Sequence, residues 1–404
     1  MRIVVIGGGA AGFFAALSAK AHAPEADVLV LEKSDKLLAK VRVSGGGRCN
    51  VTHHCLEPRK LARNYPRGEA FLRQAFKQWS VKDTIAWFGE RGVRLKAETD
   101  GRMFPVTDDS GTIIQCLLEA AQHAGVRIAV RSGVERLERS GNGWSLHVGG
   151  HVLPADAVIV ASGGAPKAEG LRWLAELGLP IVAPVPSLFT FNLPEEPITK
   201  LMGVVAAPVR IRVEGTDLES TGPLLVTHWG MSGPAVLRLS AWGARTLAGL
   251  RYAFAVRVDW CAGLNEEHVR ERLRAERDAS PKRHLGNTES IRLPGRLWAF
   301  LCERAGLAVD RPWGEVGKQE LNRLVAVLTN DRYVARGKTT FKEEFVTAGG
   351  VDLGAVDPAR MEARALPGLF FAGEVLDIDG ITGGFNFQAA WTTGWIAGRH
   401  AVDR

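Results

Sequence analysis

The sequence has few cysteines, and no two of them form a closely spaced pair. Five cysteines occur in 404 residues, and this odd number without a CxxC motif gives no support to a disulfide framework and indicates a reducing compartment. Cys49 and Cys55 flank two histidines, yet five residues separate them, whereas structural zinc sites favour two to four. The sequence therefore predicts no metal site, and a redox disulfide is a minor alternative.

The sequence also lacks a long hydrophobic run that could span a membrane. The stretch from Ile3 to Ala19 is uncharged, but four glycines interrupt it and a single basic residue precedes it. These features disfavour a membrane helix and a secretory signal, so we predict a cytoplasmic protein without membrane association. An apolar fraction of 46% with 24% charged residues is typical of a globular chain, and the length predicts about two or three domains.

Acidic residues are in the minority, with 44 Asp and Glu against 51 Lys and Arg, which gives a net charge of +7. This balance favours an anionic partner, such as a phosphate-bearing cofactor or RNA. Residues 58–79 and 331–345 combine basic and aromatic side chains, which can contact RNA phosphates and stack on bases. A solvated basic face is the ordinary explanation for each stretch and is favoured. RNA therefore stays open as a partner beside a small-molecule substrate.

Glycine is concentrated close to the start of the chain. "MRIVVIGGGAAGFFAALSAKA" predicts a strand over Ile3–Ile6, a glycine turn and a helix, and Ala26–Ser34 predicts a second strand. A strand, a turn, a helix and a further strand form a βαβ unit with parallel strands and a right-handed crossover. The N-terminal region is therefore expected to be of the doubly wound α/β type.

The motif Gly7-x-Gly9-x-x-Gly12 has the spacing of a dinucleotide fingerprint. Its glycines permit the tight turn, the approach of a pyrophosphate and close helix–strand packing, in that order. The first free N–H groups of the helix, at Ala10 and Ala11, would face the phosphates. Glu32 ends the next strand 20 residues after the last glycine, where a carboxylate can bind a ribose hydroxyl but disfavours a 2′-phosphate. FAD or NAD therefore fits better than NADP.

The middle of the chain changes character. Five prolines occur between residues 180 and 197, which suits a domain crossing. "VVAAPVRIRVEG" and "LRYAFAVRVDW" alternate like antiparallel strands, charged helical segments follow, and the N-terminal style returns at "EEFVTAGGVDL". We therefore predict an α/β protein with a discontinuous Rossmann-type FAD-binding domain, a β-rich inserted domain and a small helical portion, with bounds 1–187 plus 345–404, 188–264 and 265–344, respectively.

Two distant segments favour FAD over NAD. Val158–Gly164 predicts another strand that ends in small residues, where a ligand can approach the backbone. Further on, Gly383-Gly384 precedes a helix whose N-terminus can stabilise negative charge on a reduced flavin. Glu374 or Asp377 could hold the ribityl chain through hydrogen bonds. Trp391 and Trp395 in that helix are four residues apart, which favours a place in the core over a stacking role.

Six blocks together resemble the HI0933-like (YhiN/BaiN-like) flavoprotein family: "GGGAAG", "SGGGRCNVT", "GRMFPVTDD", "THWGMSGPAVLRLS", "VTAGGV" and "LPGLFFAGEVLDIDGITGGFNFQAAWTTGWIAG". They extend from the first strand to the last helix. The resemblance implies a FAD-binding Rossmann-type domain with a β-rich insertion and an NAD(P)/FAD-dependent oxidoreductase. Activities attributed to relatives are the reduction of carbon–carbon double bonds in oxo-steroid-type molecules and of a uracil in ribosomal RNA.

We therefore predict a FAD-dependent oxidoreductase that passes hydride from transiently bound NADH or NADPH, through the flavin, to an unsaturated acceptor. An RNA-binding flavoprotein that reduces uracil to dihydrouridine in ribosomal RNA, or a non-catalytic assembly factor, is the alternative. A structural NAD-binding module is a third reading. The predicted cofactor-binding residues flank the glycine-rich segments: Gly7, Gly9, Ala10, Ala11, Gly12, Glu32, Lys33, Ser44, Gly45, Gly46, Gly47, Arg48, Ala161, Gly163, Gly373, Glu374, Asp377, Gly383, Gly384, Phe385 and Asn386.

The catalytic acid is not assigned by the sequence, and Cys49 and His228 are the candidates. Arg48 beside Cys49 could lower the pKa of the thiol, although a small buried residue that steadies the glycine loop is the favoured interpretation. A lone histidine such as His228 is more often structural than catalytic. No Gly-x-Ser-x-Gly motif supports a hydrolase.

Overall fold

The computed structural model describes residues 1–339 and 346–403, which form two compact units. The first comprises Met1–Ser187 and the described part of Phe341–Arg404, and the second is Leu188–Thr340 as far as it is described. The predicted return to the first domain at residue 345 lies outside the described residues, as does the end of the basic stretch at 340–345.

The described residues form these elements in chain order. The strands are β1 Arg2–Ile6, β2 Asp27–Leu31, β3 Thr52–His53, β4 Leu95–Ala97, β5 Arg102–Pro105, β6 Arg127–Ala129, β7 Val134–Ser140, β8 Gly143–Val148, β9 His151–Ala155, β10 Ala157–Val160, β11 Ile181–Ser187, β12 Thr190–Asn192, β13 Val205–Val213, β14 Glu219–Thr227, β15 Gly230–Ser232, β16 Ala253–Asp259, β17 Asp331–Arg336, β18 Lys338–Thr339, β19 Val346–Val351 and β20 Leu369–Phe371. The helices are α1 Ala10–His22, α2 Ala39–Val43, α3 Pro58–Ala62, α4 Glu69–Ala75, α5 Val81–Glu90, α6 Ser110–His123, α7 Arg172–Ala175, α8 Pro234–Trp242, α9 Ala244–Gly249, α10 Glu266–Ala279, α11 Gly295–Arg304, α12 Lys318–Asn330 and α13 Phe385–Ala401.

The first unit is built on a parallel sheet with the strand order β6-β2-β1-β10-β20. If the five strands of this sheet are counted in chain order, their spatial order is 3-2-1-4-5. The chain therefore builds the sheet in one direction from β1 and then reverses, so that β10 and β20 lie on the other side of β1. The strands are short and apolar because helices cover the sheet, and β10 is buried throughout. The prediction of a Rossmann-type α/β fold is therefore confirmed, and ligands of such folds bind at the reversal point, beyond the carboxyl ends of the strands.

Helices α1 and α13 cross in backbone contact on one side of this sheet. A Cβ placed on Gly394 would lie 2.5 Å from the carbonyl oxygen of Ala11, and one on Gly398 would lie 2.1 Å from that of Ala15. Glycine is needed at both positions because a side chain would separate the helices. Trp391 is fully buried beside this crossing, so its predicted core role is confirmed, whereas Trp395 is half-buried at the edge of the same core.

Antiparallel sheets complete the first unit. Strands β7, β8 and β9 form a meander, β3 and β4 flank β5, and β11 pairs with β19. Ser80 and Asp83 have N-terminal capping spacing in the sequence, and Ser80 caps α5, with its backbone N–H donating to the carboxylate of Asp83 at 2.7 Å.

The second unit contains a seven-stranded antiparallel sheet with the strand order β17-β16-β13-β14-β15-β12-β18. The two segments that alternate in sequence, β13 and β16, are antiparallel strands as predicted, and they pair directly with each other. Strand and helix side chains share one hydrophobic core, which includes Val256, Leu273, Leu301 and Leu324. The charged helices therefore bury one apolar stripe against the sheet and expose the rest.

Candidate cofactor-binding site

The glycine turn after β1 has the geometry that a dinucleotide needs. Gly7 adopts a φ of 116°, and a Cβ placed there would lie 2.3 Å from the carbonyl oxygen of Ala161 at the end of β10. A Cβ on Gly12 would lie 1.9 Å from the carbonyl oxygen of Gly7, whereas one on Gly9 would have no described atom within 4 Å. Packing therefore requires the first and third glycines, and the second faces open space.

Helix α1 starts at this open space. Gly9 precedes the first turn, so the helix has no side-chain cap, and the first N–H groups belong to Ala10 and Ala11. Helix N-terminal N–H groups lack intrahelical acceptors and carry a partial positive charge, so this arrangement suits a pyrophosphate.

Glu32 is held beside the same turn. One carboxylate oxygen accepts from the N–H of Gly8 at 2.8 Å, and the other accepts from the N–H and hydroxyl of Ser34, also at 2.8 Å. A carboxylate can accept about four hydrogen bonds, so capacity remains for a ribose hydroxyl. The following residue, Lys33, is exposed.

The triple-glycine segment after α2 is a left-handed turn. Gly45, Gly46 and Gly47 have φ values of 60°, 70° and 85°, which only glycine adopts at low cost. A Cβ on Gly46 or Gly47 would have no described atom within 4 Å. The backbone of this segment is therefore open to a ligand, and the preceding Ser44 directs its hydroxyl to the carbonyl of Val41 at 3.0 Å.

The guanidinium of Arg48 is engaged by protein groups. It donates to Glu98 at 2.7 Å and lies 3.9 Å from the ring centre of Phe104. The hydrogen bond to Glu98 raises the pKa of Arg48 above its usual value. Contact of Arg48 with the cofactor therefore stays a prediction.

Cys49 is buried and adopts a φ of 61°. Burial raises the pKa of the Cys49 thiol to about 12, so the prediction that Arg48 lowers this pKa is wrong. The reason is that desolvation of the thiolate outweighs a guanidinium that points to Glu98. Cys49 supports the glycine turn, and its backbone N–H donates to the carbonyl of Ser44 at 2.9 Å.

Alkylation tests this assignment. We expect iodoacetamide to leave Cys49 unmodified in the folded protein at neutral and mildly alkaline pH, because the buried thiol stays protonated. Cys55 is less buried and should react first. The C49S variant should match the wild-type rate, and C55S should lose the fastest phase, as followed by mass spectrometry. Rapid modification of Cys49 in the folded protein would contradict the buried, protonated state.

The carboxyl ends of β10 and β20 bring further predicted residues to the same edge. Gly163 has a φ of 76° and faces open space, whereas a Cβ on Gly373 would lie 2.8 Å from that of Ala11 in the first helix. Glu374 accepts from the N–H of Thr347 at 2.8 Å and pairs with Lys40 at 2.7 Å. The carboxyl ends of β1, β2, β10 and β20 and the start of α1 therefore lie at the same edge of the parallel sheet.

The start of α13 is fixed by the chain around it. Gly383 and Gly384 have φ values of 130° and 89°. With the Asn50 amide oriented to satisfy both neighbours, its oxygen accepts from the N–H of Gly384 at 3.0 Å. Asn386 bonds both backbone groups of Gly380, at 2.8 and 3.1 Å. Asn386 therefore fixes the preceding loop.

Two predicted residues beside this helix are largely enclosed. Phe385 is 3% exposed, and its ring stacks on His53 at 4.6 Å. Asp377 is 9% exposed, and its N–H donates to the carbonyl of Val351 at 3.0 Å. Their predicted contacts with the cofactor stay predictions.

Sequence reasoning missed a second carboxylate in the same loop. Asp379 is 0% exposed and forms an ion pair with Arg67. The segment "LDIDG" contains two acids, and the predicted ligand is the first of them, Asp377. Arg67 belongs to the basic stretch 58–79, but its side chain is only 10% exposed, so the prediction of a solvated basic face is wrong for this residue.

His228 lies elsewhere, in the turn between β14 and β15 of the second unit. Its ring is exposed and lies 3.9 Å from that of Trp229. Its catalytic role stays a prediction. Within residues 1–339 and 346–403, no group of three or more His, Cys, Asp or Glu side chains could hold a metal ion. No helix in those ranges is long and apolar enough to cross a membrane.

A groove of about 1080 Å³ lies on helices α1, α5, α6 and α13. Trp79, Trp87 and Trp395 contribute to its lining, and none of the predicted cofactor-binding residues does. Cavity size therefore does not identify the site. We assign the site from the glycine turn and the sheet topology, since these show where a pyrophosphate can meet free N–H groups.

Known proteins resemble this chain over nearly its whole length. The chain matches the family described as HI0933-like protein Rossmann domain over residues 1–400. It is 29% identical to the 3-dehydro-bile acid delta(4,6)-reductase of Clostridium scindens, covering 100% of this chain and 99% of the relative. It is 30% identical to the ribosomal RNA dihydrouridine synthase of Escherichia coli, covering 99% and 97%.

A solved structure shares the fold. The 3-ketosteroid-delta4-(5alpha)-dehydrogenase of Rhodococcus jostii aligns with a TM-score of 0.52 at 16% identity, covering 99% of this chain and 96% of that one. The open backbone at Gly9, the uncapped start of α1 and the carboxylate of Glu32 fit the pyrophosphate and adenosine ribose of FAD. The family match across residues 1–400 shows that the chain belongs to the HI0933-like family of FAD-binding flavoproteins.

Proposed function

We propose that the protein is an FAD-dependent reductase that takes hydride from NADH or NADPH and delivers it to a carbon–carbon double bond. The observation that carries the proposal is the open position at Gly9 before the uncapped start of α1, at the reversal point of the parallel sheet. Bound FAD would supply the hydride transfer itself.

The chain's own residues would bind and orient the cofactor. The N–H groups of Ala10 and Ala11 would hold the pyrophosphate, and Glu32 would accept from the adenosine ribose. Glu374, at the end of β20, has acceptor capacity for the ribityl side. The start of α13, beyond Gly384, would place its positive dipole end beside the flavin ring.

The relatives support the type of acceptor. A delta(4,6)-reductase and a dihydrouridine synthase both add hydrogen across a carbon–carbon double bond, although their substrates differ in size and charge. This shared chemistry supports a carbon–carbon double bond as the group that this protein reduces.

Anaerobic reduction tests the function. Purified protein should be yellow, and NADH or NADPH should bleach the flavin, after which an unsaturated 3-oxo compound or ribosomal RNA should restore the colour. Dithionite serves as the control, since it reduces any bound flavin regardless of the donor site. Bleaching by dithionite with no response to either nucleotide would refute the hydride-donor part. Colourless protein that binds no added FAD would refute the whole proposal.

A second candidate, reduction of uracil in RNA, is favoured by a row of arginines in the second unit. Arg212, Arg257 and Arg332 are direct partners on the neighbouring strands β13, β16 and β17. Strands are about 4.8 Å apart, and like charges placed directly opposite each other destabilise a sheet. A row that is costly in the free protein would be stabilised by an anionic partner.

The neutralisation of this row is incomplete. Glu214 bonds both Arg257 and Arg332, while Arg212 donates to the amide oxygen of Asn330 at 3.2 Å. Residues 188–339 contain 22 Lys and Arg against 17 Asp and Glu, so this segment carries +5 of the total +7. Arg336, in the basic stretch noted above, is exposed but pairs with Glu195 at 2.8 Å. Charge complementarity therefore points to the arginine row as the surface for RNA phosphates.

Replacing the three arginines of the row with glutamine tests this candidate. We expect affinity for a ribosomal RNA fragment at low salt to fall by about tenfold or more, with a salt slope reduced by about one for each lost phosphate contact. Fluorescence anisotropy over a salt series gives both numbers. The matched control, R131Q/R136Q/R172Q in the first unit, removes the same charge from exposed positions. Equal losses in the two variants, or no RNA binding by wild type, would contradict an RNA surface at the row.

A further inference from the structure

The buried carboxylate of Asp379 joins two other segments of the first unit. Arg67 engages both of its oxygens through Nε and a terminal nitrogen, and the hydroxyl of Ser187 donates to it at 2.6 Å. Asp379 is 0% exposed and the Arg67 side chain is 10% exposed. The carboxylate therefore has its partners within the protein and is shielded from solvent.

Stability alone does not account for this arrangement. Burial raises the pKa of the Asp379 carboxyl, and the bond from Arg67 opposes that rise. Buried ion pairs often contribute little net stability, because desolvation of both charges offsets their attraction, and well-packed apolar residues can replace them. A function in specifying one loop conformation is consistent with such a pair.

The loop that contains Asp379 runs from β20 to α13 and is anchored on both sides of this residue. Upstream, Ile378 packs so closely that a Cβ on Gly68 would lie 2.8 Å from it. Downstream, Ile381 donates its N–H to the carbonyl of Asn64 at 3.0 Å. Arg67 and Asp379 also form a backbone bridge. The segment around Arg67 therefore sets the path of the loop that leads into α13.

We propose that Asp379 is a positioning residue for the flavin: through Arg67 and Ser187 it fixes the loop that sets the start of α13 beside the ring. This inference rests on FAD binding at the proposed site. Asp379 is not a catalytic residue, because its carboxylate is shielded from solvent and would not reach substrate. Its effect passes through the backbone of residues 379–384 to the N–H groups of the helix.

Two kinds of variant separate positioning from stability. D379N keeps the size of the side chain but removes its charge, and R67K keeps the charge but loses the planar two-pronged contact. The double variant R67M/D379L replaces the pair with apolar groups and should preserve the fold of the FAD-free protein. We expect all three to raise the FAD dissociation constant by about tenfold or more, since misplaced contacts lose binding steeply.

The reduction potential of the bound flavin provides a second measurement. We expect it to become more negative in the three variants, because a displaced helix N-terminus stabilises the reduced, anionic flavin less. D259N is the matched control, since Asp259 is a nearly buried carboxylate paired with Arg210 at 3.0 Å in the other unit, and it should change neither quantity.

The outcomes are distinct. If R67M/D379L melts like wild type without FAD and retains the wild-type dissociation constant and potential, Asp379 does not position the flavin and the inference is overturned. If R67M/D379L does not fold, R67K decides by the same two measurements. Failure of wild type to bind FAD would instead refute the proposed function.

Discussion

Replacing Gly9 with alanine will abolish retention of FAD through purification while leaving the FAD-free protein folded. The backbone at Gly9 has ordinary dihedral angles, φ −95° and ψ −171°, and a Cβ there would meet no described atom within 4 Å. The free protein therefore tolerates alanine. The added methyl would occupy the space where a pyrophosphate approaches the N–H groups of α1.

We expect the G9A substitution to raise the FAD dissociation constant by about a hundredfold, which corresponds to a loss of about 2.7 kcal/mol of binding free energy. The constant is measured by titrating FAD-free protein with FAD and following flavin fluorescence. G89A is the matched control, because Gly89 also faces open space but lies in α5, away from the glycine turn. G12A should differ from both, since its Cβ would lie 1.9 Å from the carbonyl oxygen of Gly7, and should lower the melting temperature. A yellow G9A protein with wild-type affinity would show that the pyrophosphate binds elsewhere.

Replacing Trp391 with alanine is the most destabilising single change that we expect in the first unit. The side chain is 0% exposed, its Nε1 donates to the carbonyl of Val51 at 2.9 Å, and its ring centre lies 4.6 Å from that of Phe14. Removing a buried tryptophan costs about 3–5 kcal/mol, because contacts are lost and a cavity remains. The loss falls where α1 and α13 cross.

Hydrogen exchange is the appropriate measurement, because a chain with two units need not unfold in one step. Slowly exchanging amides of α1 and α13 should open more easily by about 3–5 kcal/mol in W391A, with little change in the second unit. W242A is the control, since Trp242 ends α8 with 49% of its surface exposed, and its removal should alter stability by less than about 0.5 kcal/mol. Similar losses in both variants would mean that Trp391 does not stabilise the core as described.

The parts of the fold that depend on local chemistry could be predicted from the sequence. An apolar run predicts strand β1, and an alanine-rich segment predicts helix α1. The turn between them is predicted by Gly7, which can adopt the positive φ that the turn requires. The position of Glu32 beside that turn could be predicted because a βαβ unit places the end of β2 next to the end of β1. The cap at Ser80 likewise depends on a residue three positions away.

Features that join distant segments could not be predicted in this way. The partner of Asp379 is 312 positions earlier, and the arginine row depends on which strands become neighbours. Neither follows from periodicity, which identifies a strand but not the one beside it. For Cys49, a local feature led to a wrong prediction. Arg48 adjoins Cys49 in sequence and suggested a lowered thiol pKa, but burial of the thiol raises that pKa.

The crossing of α1 and α13 has a consequence for the order of folding. Gly394 and Gly398 touch the backbone of residues near the start of the chain, so this contact forms only when residues 385–401 have left the ribosome. The second unit is one continuous segment from Leu188, so its own residues are synthesised before the last helix. Contacts between remote segments form late, because closing a long loop costs entropy. During synthesis, the second unit would therefore fold before the first unit, whose sequence lies on both sides of it. Cofactor binding would follow only after the last helix has been synthesised and packed.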